Sequence, residues 1–151
     1  MSKLLTTVAF ILASVAGTAN AQSAQIDSGW RGFELRWDTT RRTQIQWNAF
    51  EVDGNLMICG AYSTRGGRVA HDFTKEALRH TQIRLNGSTI LRSPTFFEPV
   101  SNAHYQSRLQ GQTAGCRTLD VAVNPSDLRN VDITVQTSRI RGLRSFRERT
   151  S

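Results

Sequence analysis

Short runs of alternating apolar and polar residues, set apart by turn-forming residues, constrain this chain more than any other feature. A period of two places successive side chains on opposite faces of a strand, so each run folds with one face buried. In the first run Phe33, Leu35 and Trp37 share a side, and Asp38-Thr39-Thr40-Arg41-Arg42 breaks it. Ile45, Trp47 and Ala49 resume the pattern, but Phe50 and Val52 are apolar on the opposite parity. That slip predicts either a bulge or a strand buried on both faces. Asp53-Gly54-Asn55 then turns the chain, which predicts a hairpin between residues 44–52 and 56–63. Its second arm, from Leu56 to Tyr62, is apolar on both faces and reads as a central strand. Asn86-Gly87 predicts another hairpin, between 81–85 and 88–91. Leu119, Val121 and Val123 mark a further strand, as do Val131, Ile133 and Val135.

Between these runs one short helix is expected from Lys75 to His80. Thr74 would cap it, and Phe73 and Leu78 would hold the two staple positions across its start. Arg65-Gly66-Gly67-Arg68 reads as a loop, and residues 101–115 as a long polar one. Pro94 and Pro99 bracket an extended or edge segment, residues 95–98.

Lys3, the uncharged apolar run from Leu4 to Ala16 and the small-x-small triplet Ala19-Asn20-Ala21 have the layout of a cleavable export signal. The run is shorter than the roughly 20 residues of a permanent membrane helix. The expected organisation is a cleaved signal over 1–21, a flexible arm over 22–30, a β-sandwich domain over 31–141 and a basic tail over 142–151. The mature chain, starting at Gln22, is expected to be soluble and periplasmic or secreted.

An exported chain with two cysteines, Cys59 and Cys116, most simply joins them in one disulfide. Closing that loop stabilises the fold by about 4 kcal/mol in the chain-entropy picture. Seven to eight short strands, one short helix and one disulfide predict an all-β, antiparallel β-sandwich of immunoglobulin-like character, with a small β-barrel as the alternative. The pattern is similar to immunoglobulin-like and fibronectin-like sandwiches as a pattern alone. No tryptophan lies between Cys59 and Cys116, as an antibody domain would require.

The formal charge is +7, and arginine supplies nearly all of the positive side, with Lys3 and Lys75 as the two lysines. A guanidinium fork binds two oxygens of a phosphate or carboxylate at once. The candidate partner-binding residues are Arg65 and Arg68 around a Gly-Gly turn, and the tail residues Arg139, Arg141, Arg144, Arg147 and Arg149. Glu148 is the lone acid in that tail, where Leu143 and Phe146 could instead dock the chain end. The implied partner is an anionic envelope polymer or another envelope protein, and nucleic acid is not expected. No GxSxG, SxxK or HxxxH motif is present, and no cofactor motif. The leading reading is therefore a binding module without catalytic or metal residues. The alternative is a periplasmic enzyme or metal-handling protein that uses His71, His80 or His104.

Overall fold

The structure is a computed structural model that describes residues 26–100, 105–107, 109 and 111–149. The signal expected over 1–21, the cleavage point, residues 22–25 of the arm, and His104 lie outside the described residues. No described helix is long and apolar enough to cross a membrane.

The strands follow the alternating runs. Two successive hairpins join β2 (Arg31–Arg36), β3 (Arg42–Val52) and β4 (Asn55–Arg65) at the centre of the larger sheet. β7 (Gly115–Ala122) flanks β4, and β9 (Ser145–Arg149) flanks β2. β1 (Ile26–Asp27), within the expected flexible arm, pairs with β3 beyond the end of β2. The smaller sheet has the order β6 (Ser88–Arg92), β5 (Thr81–Leu85), β8 (Val131–Val135). All described pairings are antiparallel. Each sheet runs from one edge strand to another, so neither closes as the barrel alternative requires. Asp53 and Gly54 (φ 51° and 80°) and Asn86 and Gly87 (φ 49° and 82°) are left-handed, as two-residue hairpin turns demand.

One face of the larger sheet supplies Leu35, Ile45, Trp47, Ala49, Leu56 and Ile58 to the main core. The smaller sheet adds Ile83, Val131 and Ile133, and the two sheets thus close on a shared interior in a sandwich-like arrangement. Arg31 reaches between them. Its guanidinium lies 3.9 Å from the Trp47 ring centre and donates to the Val131 carbonyl at 2.8 Å. Burial lowers its pKa, opposed by the charges of Asp132 and Glu148.

The other face carries a second cluster of Phe50, Met57, Cys59, Ala61, Leu109 and Ala114. Tyr105 packs on Phe50 there, ring centres 4.7 Å apart. The parity slip at Phe50 is thus a strand buried on both faces. The β3–β4 register passes through it unbroken. Tyr105, Leu109 and Ala114, from the long polar loop expected over 101–115, pack into this cluster, and a bridge pairs Gln106 with Thr113.

Cys59 and Cys116 are joined, and they stand directly opposite each other on β4 and β7. The tie lies within one sheet. The next opposed pair is Gly60 and Gly115. Their missing side chains let residues 96–98 lie against the sheet. A Cβ on Gly60 would overlap the Phe97 ring, and one on Gly115 would overlap the Phe96 carbonyl. Phe96 and Phe97 form a buried turn, where the prolines suggested an extended segment or edge strand.

The helix and the chain end also need correction. The helix α1 spans Gly67–Arg79, beginning eight residues before Lys75. Gly66, left-handed at φ 102°, precedes it without any side-chain cap. Thr74 is no cap. It is buried in mid-helix, donates to the Ala70 carbonyl at 2.7 Å and meets the Thr43 hydroxyl at 2.6 Å. Ala70, Thr74, Ala77 and Leu78 form the buried stripe, and Phe73 stacks on Trp37 at 5.1 Å. Arg68 therefore sits in the first helical turn, not in a loop. At the other end, Ser145–Arg149 of the expected tail is an edge strand, with Phe146 against Phe33 at 5.4 Å.

Candidate functional site

Directly opposed residues of paired strands share a face of the sheet. Arg36 on β2 stands opposite Arg42 on β3, and Arg42 opposite Arg65 on β4. Three arginines therefore form one row across three neighbouring strands, on the face turned away from the main core. With strands about 4.8 Å apart, the row spans roughly 10 Å. The adjacent row holds Arg147, Glu34, Gln44 and Ser63, one from each of β9, β2, β3 and β4. In the following row Arg149 is paired opposite Gly32.

Arg36, Arg65 and Arg147 are exposed, and Arg42 is half-buried. Among the described residues, ion pairs hold Arg41, Lys75, Arg79 and His80, and none holds Arg36, Arg42 or Arg65. Like charges directly opposed in a sheet repel. An anion laid across the row would relieve that repulsion. Arg42, Gln44, Ser63 and Arg65 line a shallow hollow of about 210 Å³. A second hollow, of about 250 Å³, lies between α1 and residues 93–98, lined by Lys75, Leu78, Arg79 and Pro94 among others.

The row unites Arg65, one of the expected residues, with Arg36 and Arg42, which the sequence reading passed over. A signal for them exists. Arg42 and Arg65 each lie eleven residues from the Asp53-Gly54 turn, so a regular hairpin must oppose them. Of the tail arginines, Arg147 and Arg149 join the same sheet through β9. The Arg144 backbone N–H donates to the Arg36 carbonyl at 2.8 Å. Arg139 and Arg141 are exposed on either side of buried Ile140, in the connection between β8 and β9. Arg68 stands on α1 and is not in the row.

The two described histidines of the alternative reading, His71 and His80, are held apart. The His71 Nδ1 lies 3.1 Å from the Tyr62 hydroxyl. Burial, with the nearby Glu98 charge, pushes the Tyr62 pKa up to about 12, so this phenol keeps its proton at neutral pH. His80 ends α1, with its Nε2 3.3 Å from Glu76. Nine positions of helix separate the two imidazoles by about 13 Å along the axis. Among the described residues no group of three or more His, Cys, Asp or Glu side chains could hold a metal ion.

No protein-family model matches the chain, and neither a curated protein nor a solved structure matches it.

Proposed function

We propose that the protein is exported, loses residues 1–21, and acts in the periplasm or outside the cell as a binding module without catalytic activity. Its partner is an anionic envelope polymer, or an envelope protein with an acidic face. The larger sheet holds it through Arg36, Arg42, Arg65 and Arg147. The observation that carries this reading is the Arg36–Arg42–Arg65 row, an opposed set of like charges with no carboxylate bound to it among the described residues. The signal-like amino terminus and the Cys59–Cys116 disulfide support export, since disulfides persist in oxidising compartments. Two antiparallel sheets on one core support an immunoglobulin-like module, with α1 added between β4 and β5.

Elution of the mature, disulfide-bonded protein from heparin tests the assignment. Changing Arg36, Arg42 and Arg65 together to Gln is expected to lower the eluting salt concentration sharply. Changing Arg84, Arg92 and Arg129, which lie on or beside the smaller sheet, removes the same charge and should alter elution little. Equal effects from the two sets would mean that net charge alone drives retention, and the sheet face would lose its role.

A further inference from the structure

We infer that the hollow between Arg42 and Arg65 is a discrete subsite for one tetrahedral oxyanion, a phosphate or sulfate ester group. The inference rests on the anionic-partner reading and adds a defined ligand group to it. Arg42 and Arg65 line the hollow from neighbouring strands, β3 and β4, at directly opposed positions. One row further along, Gln44 and Ser63 are likewise opposed and line the same hollow. The Gln44 amide offers two N–H donors and the Ser63 hydroxyl one.

This donor set selects the shape of the anion. A planar carboxylate presents two oxygens in one plane, and a single guanidinium fork already engages both. A tetrahedral oxyanion presents oxygens in several directions, so it can accept from both forks and from the neutral donors together. The volume, about 210 Å³, leaves room for one such group with some of its water. Glu34 bounds the site. It stands opposite Gln44 on the β2 side and is 8% exposed. The expected geometry is a single phosphate or sulfate seated between β3 and β4, with Arg36 and Arg147 meeting the rest of the polymer.

Amide and arginine side-chain NMR signals of the mature protein, titrated at constant ionic strength with inorganic phosphate, sulfate or acetate, read the subsite directly. Phosphate and sulfate should give saturable shifts confined to Arg42, Gln44, Ser63, Arg65 and their neighbours, and acetate should give none that saturate. Arg42→Gln or Arg65→Gln should each weaken phosphate binding about tenfold or more, the worth of a charge-assisted contact. A thermal melt confirms that each variant is folded. Vesicles carrying a phosphomonoester lipid and heparin oligosaccharides then compete with phosphate. Displacement by the vesicles alone assigns a lipid headgroup, and displacement by heparin alone a sulfated polymer, each in support. Failure of both competitors against bound phosphate overturns the assignment to a larger ligand. Linear titrations, shifts spread evenly over all arginines, or acetate binding as tight as phosphate would overturn the subsite. If that happens while the Arg36, Arg42 and Arg65 variant still elutes early from heparin, only the subsite falls. If elution is also unchanged, the anionic-partner reading falls with it.

Discussion

Gly60→Ala places one methyl group where the Phe97 ring already lies. Phe97 is fully buried, so the ring has no open side to swing towards. The strand cannot retreat easily either, because Gly60 is flanked by the Cys59–Cys116 tie and pairs with both Trp47 and Gly115. Overpacking of a rigid core costs about 1–3 kcal/mol. For a domain of this size that lowers the melting temperature by roughly 5–10 °C. Urea unfolding followed by tryptophan fluorescence, on oxidised protein, measures the loss. Phe97→Leu shortens the obstructing group, so Gly60→Ala in that background should be markedly less harmful, with a coupling of about 1 kcal/mol or more. Gly115→Ala should be worse than Gly60→Ala, since its new methyl meets the Phe96 carbonyl, which is backbone. A Gly60→Ala effect below about 0.5 kcal/mol, or strict additivity with Phe97→Leu, would refute the close approach of residues 96–98 to the sheet.

The Cys59→Ser, Cys116→Ser double variant should lose about 4 kcal/mol, and thiol labelling of unfolded, unreduced protein should find nothing to label; labelling at both positions would contradict the joined pair. The Asp38 carboxylate accepts from the Arg41 and Thr40 backbone N–H groups at 2.7 and 2.9 Å and from the Arg41 side chain, which holds its pKa well below the usual carboxylate range. A lowered folded pKa stabilises fully above the unfolded value, near about 3.9, and that stability is lost as pH falls through the lowered one. Asp38→Asn should therefore be less stable than wild type at pH 6, with the gap narrowing on acidification from about pH 4; a gap independent of pH rejects the cause. Phe146→Ala should cost about 1–2 kcal/mol, because Phe146 is only 38% exposed and packs on Phe33. A negligible loss would return the segment to a solvated tail.

The hairpins were legible because their turns are local chemistry. Asp53-Gly54 and Asn86-Gly87 adopt the left-handed angles that such residues tolerate, and flanking alternation fixes the strands. The start of α1 was not legible, since neither an acid in its first turn nor a side-chain cap marks it, and Gly66-Gly67 reads as a loop. Thr74 misled for a physical reason. Its hydroxyl is satisfied by the Ala70 carbonyl within the helix and by Thr43 on β3, so a residue that prefers helix starts is at ease in the interior. The tail was misread because Arg147, Glu148 and Arg149 look solvated, while the partner strand that recruits them, β2, lies more than a hundred residues earlier. The disulfide pair was readable by count. Its placement within one sheet depends on β4 and β7 meeting across a long connection. The arginine row is similar. Each arginine is unremarked in its own segment, and only strand register brings Arg36, Arg42 and Arg65 together.

That an anionic polymer lies on this one sheet face can be read from the salt dependence of binding. Each arginine that neutralises a polymer charge releases counterions and steepens the fall of log K with log salt by about 0.7–0.9. Measured on a heparin or polyphosphate ligand, the Arg36, Arg42 and Arg65 to Gln variant should show a slope shallower than wild type by about 2 or more. The matched Arg84, Arg92 and Arg129 variant should keep the wild-type slope. Identical slopes for wild type and the sheet-face variant would contradict the proposed contact surface.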